Sequence, residues 1–410
     1  LIALLIAVNP FGGGGNGETR VVTIAVATDN AQQAPVGTLG FPLVATRNTT
    51  RISGPDPTAD AAAAALATHP PAPDAPALEA AFLVPDDSWQ AGIAASVLAG
   101  PETRIPVLVS QGGGVPDATS QALAQLKPRG GGGSGDVAVY SAGGAAVPSG
   151  LRSKKTHGSS PAEIANSIDE LRQKLTRSEP EHIVIVSSDR APYAMPAAAW
   201  AARSGDPVLF SGPNQVPAAT LAALRRHAAA PVYILGPQSV ISKEAAGQIA
   251  RVSASVQRVG AAGAVQNALF FARFSDGTFG WNINDPGHGM ELANTDRPLD
   301  AAAAASLASS GKWGPLLLTD TADTLSPELR SFFLDIKPGY ETDPTRAVYN
   351  HVWLIGDATA IGGQVQAEVD QLAELAPVGA AGAQGNISGG TAQPGGLEGE
   401  PVPNPKGGKK

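Results

Sequence analysis

The sequence predicts an α/β fold in which one parallel-sheet unit is used three times in tandem. Three kinds of segment recur in the same order. Apolar strands that open with proline lie at 106–110, 207–211 and 315–319, helix-start prolines are Pro116, Pro217 and Pro327, and strands that end in glycine lie at 139–143, 232–236 and 352–356. The opening prolines are 101 and 108 residues apart, which is the length of a small domain and too long for a solenoid repeat.

The first unit is predicted at 21–150, with an alternating, β-branched strand at 20–28 and the repeat elements themselves from about residue 41. Alanine and other small residues predict helices at 60–68 and 89–99, because small side chains allow close packing on a sheet. Apolar runs predict a strand at 80–84 and a strand that starts at residue 105. A helix at 117–126 and a strand that starts at residue 136 follow. The glycine run at 130–135 predicts a loop before that last strand.

The second unit is predicted at 151–255 and the third at 256–376. In the second, Ser159, Pro161 and Glu163 form a helix-start pattern. The elements that follow are strands at 182–187, 207–211 and 232–235, a helix that starts near Tyr193, and helices at 218–227 and 243–252. The third unit has helices at 265–274, 300–309, 327–334 and 364–375 around strands at 315–319 and 352–355, with an irregular stretch at 275–297. Alternating strands and helices predict parallel sheets with right-handed crossovers.

Composition excludes several classes of function. The 410 residues, 43% of them apolar, suffice for two to four domains with sizeable cores. A formal charge of −8 gives no overall field that favours nucleic acid. The chain has no cysteine, and its six histidines include no pair at helical metal spacing. We therefore expect no disulfide, no metal and no cofactor. Two glycine patterns, at 12–17 and 130–135, lead into strands and are interpreted as linkers.

The two ends of the chain differ from the repeats. Residues 1–20 join an apolar octapeptide to a glycine-rich linker. The octapeptide resembles the end of a signal peptide or an N-terminal membrane anchor, and a buried first strand is the alternative. Glycine and proline dominate 377–410, so this tail is predicted to be disordered.

The recurring residues resemble the type 2 cell-wall-binding repeat family, whose modules occur in threes on surface proteins of Gram-positive bacteria. The family unit opens with Arg-Leu-x-Gly-x-Asp-Arg-Tyr and continues to Pro-Leu-Leu-Leu-Thr. Residues 51–56 match the opening, and residues 258–260 match it in part. The sequence Pro-Leu-Leu-Leu-Thr occurs unchanged at 315–319. The resemblance covers about residues 40–376. Pro57 and Thr58 replace the second Arg and the Tyr of the motif.

The resemblance implies a monomer of three Rossmann-like units in a pseudo-three-fold arrangement. It implies an extracellular protein of the cell wall or cell surface, without enzymatic activity. Its partner would be an anionic wall polymer or a peptidoglycan-associated glycan, held without covalent bonds. Three copies of one binding surface on the same chain would reinforce one another, because binding by one copy raises the effective concentration of the others at the polymer.

Two groups of residues are candidates for ligand contact. The first lies at unit openings and helix starts: Arg51, Asp56, Asp189, Arg190 and Arg258. Arginine matches anionic groups well, and the alternative is that these arginines brace the units through ion pairs with Asp56 and Asp189. The second group is Trp281 and His288, which suit sugar binding by stacking and hydrogen bonding. Its alternative is an ordered surface insertion.

Two other functions compete with wall binding. A wall-glycan hydrolase would need two carboxylates about 5–10 Å apart across a cleft, and Asp285 and Glu291 within 275–297 are the candidates. A solute receptor with two lobes is disfavoured because the chain repeats three times.

Overall fold

The computed structural model describes residues 43–70 and 78–378, which form a mixed α/β structure with parallel sheets. The strands are β1 (Leu43–Ala45), β2 (Thr49–Ile52), β3 (Ala81–Pro85), β4 (Val107–Ser110), β5 (Val139–Ser141), β6 (Ser153–Lys155), β7 (Ile183–Ser187), β8 (Val208–Ser211), β9 (Val232–Leu235), β10 (Val256–Val259), β11 (Gly289–Asn294), β12 (Leu316–Thr319), β13 (Gly339–Tyr340), β14 (His351–Ile355) and β15 (Ala376–Pro377).

The helices come between these strands, as the sequence predicts. They are α1 (Pro57–Thr68), α2 (Trp89–Ala95), α3 (Asp117–Leu126), α4 (Pro161–Thr176), α5 (Ala191–Ala194), α6 (Pro196–Ser204), α7 (Ala218–Arg226), α8 (Lys243–Ala250), α9 (Ala264–Arg273), α10 (Asp300–Ala308), α11 (Pro327–Asp335) and α12 (Gly363–Ala373). The octapeptide, the strand predicted at 20–28 and, beyond Val378, the predicted disordered tail lie outside the described residues. Within the described ranges, no helix combines the length and the apolar character that crossing a membrane requires.

Three sheets carry the fold. Their strand orders are β4-β3-β5-β6, β10-β9-β7-β8 and β1-β2-β14-β11-β12. Strands β1 and β2 run antiparallel, whereas the other paired strands of these sheets are parallel. The predicted α/β class with parallel sheets is therefore confirmed.

The proline-opened strands occupy the same place in their sheets. In each, a main-chain N–H of the neighbouring strand donates to the proline carbonyl at 3.0 Å: Phe82 to Pro106, Val184 to Pro207 and Glu291 to Pro315. The repeated sequence thus produces a repeated register. The relation of the units by a three-fold axis stays a prediction.

The strand that opens each sequence repeat completes the sheet of another repeat. Strand β6 pairs with β5, and β10 pairs with β9, so each joins the sheet that precedes it in the chain. Strand β2 pairs with β14, and the partners Thr49 and Val352 are 303 residues apart. The segment that precedes α1 therefore joins the last sheet of the chain.

Alanine-rich helices lie at the centre of the structure. All nine residues of α10 are buried, and α10 packs against both α1 and α6. A helix that is apolar on every side is buried on every side, and alanine lets neighbouring helices approach closely. Helices α1 and α6 are also rich in alanine and mostly buried.

The first sheet differs from the other two in one element. Helix α8 follows β9 and helix α12 follows β14, but the chain passes from β5 to β6 through residues 142–152 without a helix. Ala145, Val147 and Leu151 of this connection pack on the apolar cluster of the first sheet. A short loop therefore stands where the other two sheets have a helix.

The prediction of an irregular insertion at 275–297 is wrong for its last part, because residues 289–294 form β11. This strand lies between β14 and β12, and its last five residues are buried. Glu291 and Asn294 obscured the strand in the sequence, since charged and amide side chains are rare in buried strands. Strand β11 is the counterpart of β3 and β7, so the third unit has the same sheet positions as the others.

Candidate functional site

Arg51 of β2 is buried and binds main-chain carbonyls. Its Nη1 donates to the carbonyl oxygens of Gly356 at 2.9 Å and Asp357 at 3.0 Å, and its Nε donates to Gln366 Oε1 at 2.9 Å. Burial lowers the pKa of Arg51 to about 10, against the opposing effect of Asp357 and Asp60. The side chain thus holds the turn between β14 and α12.

Arg258 of β10 does the same in the second sheet. Its Nη1 donates to the Gly236 carbonyl at 2.7 Å and its Nη2 to the Ile241 carbonyl at 2.8 Å. The two arginines have matching registers, since Arg51 pairs with Leu354 and Arg258 with Ile234. In both sheets the glycine two residues after the arginine's partner takes a positive φ, 108° at Gly356 and 125° at Gly236. Both arginines therefore brace the turn after a strand through hydrogen bonds to its main-chain carbonyls.

The other predicted residues of this group lie at the surface. Asp56 caps α1 by accepting a hydrogen bond from the Ala59 N–H at 2.9 Å. Asp189 accepts one from the Ser188 hydroxyl at 2.6 Å. Arg190 is exposed before α5 and forms no ion pair within the described ranges. Arg190 is thus the one predicted arginine whose guanidinium faces solvent.

A buried charge cluster, which we did not predict, joins the starts of α1 and α10. Arg297 Nη2 lies 2.5 Å from Asp60 Oδ2, and its Nε lies 2.9 Å from Asp300 Oδ2, in poor alignment for a hydrogen bond. Asp60 also accepts a hydrogen bond from the Gly54 N–H at 2.8 Å. Both aspartates are fully buried. The sequence signal was an aspartate at the head of each five-alanine run.

One arginine cannot neutralise two buried carboxylates. Burial raises the pKa of Asp300 to about 7, against the opposing effect of Arg297. Burial and the neighbouring Asp300 raise the pKa of Asp60 well above its usual range. The pair therefore keeps a proton at pH values at which exposed carboxylates have lost theirs.

A second polar cluster surrounds His227 between α4 and α7. The ring has no exposed surface, and its nitrogens lie 2.8 Å from Asp169 Oδ2 and 2.5 Å from Glu179 Oε2. Burial lowers the pKa of His227, but hydrogen bonds to both carboxylates outweigh it and raise the pKa. His227 is buried because the helix end that carries it packs against α4.

The predicted Trp281 and His288 do not form a common ligand surface. Trp281 is buried against Trp200, with ring centroids 5.5 Å apart, and the Arg203 guanidinium lies 5.3 Å from its ring. His288 Nε2 lies 3.0 Å from Asp285 Oδ1 near the surface. Trp281 is thus part of the core, in a position unsuited to stacking on a sugar.

The two carboxylates considered for hydrolysis lie in unlike environments. Asp285 is exposed, whereas Glu291 is completely buried within β11 and neither of its oxygens has a hydrogen-bond partner. Burial raises the pKa of Glu291 well above its usual range. A carboxyl group without exposed surface cannot contact a glycan, so the arrangement does not support the hydrolase alternative.

A cavity of about 390 Å³ opens beside the start of α4. It is lined by His157, Gly158, Ser159, Glu163 and Asn166. Glu163 accepts hydrogen bonds from the N–H groups of Ser159 and Ser160, both at 3.0 Å, which lowers its pKa to about 2. Across the described part of the chain, no group of three or more His, Cys, Asp or Glu side chains has metal-binding geometry.

Comparison with known proteins identifies the second unit. Residues 157–246 match the model of cell wall binding domain 2 (CWB2). Among solved structures, Cwp8 from Clostridium difficile aligns with a TM-score of 0.61 and 18% identity over 80% of this chain and 52% of Cwp8. Cwp6 from Clostridium difficile aligns with a TM-score of 0.60 and 17% identity over 78% of this chain and 48% of Cwp6. No curated protein matches.

The family model matches residues 157–246, and the two solved structures share the fold. The chain spans about half the length of the two solved structures, and at these identities the likeness concerns the fold. The match to the family begins at the residues that follow β6 and ends within α8. It confirms the predicted location at the cell wall or cell surface. The predicted resemblance is also confirmed, since residues 157–246 form a repeat of the type 2 cell-wall-binding family.

Proposed function

We propose that this protein attaches without covalent bonds to an anionic polymer of the bacterial cell wall and serves there as a surface or scaffold protein. The observation that carries the proposal is the cell wall binding domain 2 match at 157–246, within a fold that builds the same sheet register three times. A repeated sheet offers a surface several times, and weak contacts joined on one chain reinforce one another. The proposal includes no catalytic step.

Electrostatics limits where the polymer is bound. The chain carries a formal charge of −8, so an anionic polymer is attracted only where cationic side chains face solvent. Arg51 and Arg258 use their donors on internal carbonyls and are not part of this surface. Arg190 is exposed, and its guanidinium is available for a phosphate or carboxylate.

The proposal is tested by co-sedimentation with purified Gram-positive cell walls at increasing NaCl concentration. We expect the wild-type chain to sediment with the walls at low salt and to be released as salt rises, because exposed charge contacts are screened. Arg190→Gln should reduce the retained fraction modestly, and Arg190→Lys should restore most of it. A chain that stays in the supernatant at low salt would contradict wall binding.

A further inference from the structure

The first sheet lacks the helix that follows the corresponding strand in the other two sheets. In those sheets, the turn and helix after β9 and β14 enclose Arg258 and Arg51. In the first sheet, residues 142–152 connect β5 to β6 without a helix. The edge strand β6 is exposed along its whole length, whereas the edge strand β10 is largely buried, as is β2, which β1 flanks.

Lysines take the place of the buried arginine on this exposed strand. Lys155 pairs with Ser141 two residues before Gly143, which is the register of Arg51 and Arg258. Lys154 and Lys155 are both exposed, and neither ammonium group forms an ion pair or hydrogen bond within the part of the chain that the structure describes. Successive side chains of a strand lie on opposite faces, so the edge carries one free positive charge on each face.

The polar cavity described above adjoins this edge. Its first lining residue, His157, comes two residues after Lys155. Glu163 lines the cavity with a carboxylate that can accept hydrogen bonds from sugar hydroxyl groups, whereas Ser159 Oγ and Asn166 Nδ2 already donate to Glu163 and Glu170. The edge supplies positive charge, which matches the phosphate or carboxylate of an anionic glycan. The cavity supplies hydrogen-bonding groups, which match the hydroxyl groups of its sugars.

We propose that β6 and the adjoining cavity form a binding site for an anionic glycan, with Lys154 and Lys155 holding its acidic groups. The site rests on the proposed function and names where the wall polymer lies. The polymer runs along the open edge of the first sheet, with one ammonium group on either side, and a sugar enters the cavity at His157. The exposure of β6 is what makes this edge accessible in the first unit.

The test compares two pairs of lysine substitutions that change the net charge equally. Lys154→Gln/Lys155→Gln removes the edge charges, and Lys174→Gln/Lys312→Gln removes two exposed lysines elsewhere. The apparent Kd for purified Gram-positive walls is measured by co-sedimentation. We expect the first pair to raise it about fivefold or more and the control pair less than twofold. The Lys154→Arg/Lys155→Arg chain should bind nearly as tightly as wild type, since it keeps both charges.

Each result separates the site from the general function. Wild-type retention with no loss in the edge variant would overturn the site and leave wall binding in place. Equal losses in both pairs would also overturn it, because net charge would then explain the effect. A wild-type chain that is not retained would overturn the proposed function itself. Binding of the edge variant is also measured on walls stripped of anionic polymer; a loss that persists there would show that the edge binds something else, such as a peptide strand.

Discussion

Arg51 and Arg258, which were predicted to bind an anionic ligand, are buried and stabilise turns of the fold. Arg51 and Arg258 each give guanidinium hydrogen bonds to two carbonyl oxygens at the turn that follows a strand. Carbonyls at such a turn have no partner in the sheet, and leaving them unpaired in the interior is costly. The sequence located both arginines at equivalent positions, but their partners are main-chain atoms about which side-chain patterns give no information.

Replacing one of these arginines should destabilise the protein. We expect Arg258→Met to lower the free energy of unfolding by about 2–4 kcal/mol, because it keeps the volume but leaves the Gly236 and Ile241 carbonyls unpaired. Urea denaturation measures the change. The control is Arg190→Met, which removes an exposed guanidinium and should cost less than about 0.5 kcal/mol. Equal effects of the two substitutions would contradict the bracing role.

The buried aspartates should make stability depend on pH. Burial raises the pKa of Asp300 to about 7 in the folded protein, so the folded state binds more protons than the unfolded state between about pH 4 and pH 7. The free energy of unfolding should therefore decrease as pH rises through this range. Asp300→Asn removes the titrating group and should flatten the dependence.

Urea denaturation at pH 4.5, 5.5 and 7 measures this dependence. The control Asp320→Asn alters an exposed carboxylate and should leave the slope as in wild type. If the free energy of unfolding of the Asp300→Asn chain falls with rising pH as steeply as that of wild type, Asp300 is not the cause of the pH dependence.

At the scale of elements, alanine sets the distance between the central helices. Every residue of α10 is buried between α1 and α6. The sequence predicted these helices within a few residues, because long alanine runs have a strong helix propensity. It missed β11, because Glu291 and Asn294 in a buried strand contradict the patterns by which strands are recognised. The register with β12 and β14 overrides that local signal.

A larger side chain in α10 should not fit. We expect Ala303→Leu to lower the free energy of unfolding by about 1–3 kcal/mol, because the added atoms overpack the helix contacts. The matched control is Ala367→Leu on an exposed position of α12, where the change should be within about 0.5 kcal/mol. Thermal or urea denaturation of the two variants gives the comparison, and equal losses would contradict the close packing.

At the scale of the whole molecule, the sheets do not follow the sequence repeats. The opening strand of one repeat completes the sheet of another, and β2 joins β14 across 303 residues. Asp370 strengthens this junction by accepting hydrogen bonds from the Thr46 hydroxyl and the Asn48 N–H. The spacing of the repeats predicted the three larger sheets but not the small sheet of β13 and β15. The exchange of strands between the larger sheets depends on long-range pairing that local patterns do not encode.

Removing the opening segment should therefore affect the far end of the chain. A chain that begins at residue 56 lacks β2, so the amides of β14 should lose protection from hydrogen exchange. The amides of β7 in the second sheet should keep theirs, because β7 pairs with β8 and β9. Hydrogen exchange read by mass spectrometry distinguishes the two strands. Unchanged protection of β14 would show that β2 contributes little to the third sheet.

The central claim is that the protein holds an anionic wall polymer through exposed charges. Its most direct test is the retained fraction of the wild-type chain on Gram-positive walls before and after the anionic polymers are stripped, at constant low salt. We predict strong retention on intact walls and loss of most of it on stripped walls, since stripping removes the anionic polymers whose acidic groups the exposed cations would bind. Equal retention on intact and stripped walls would contradict the claim.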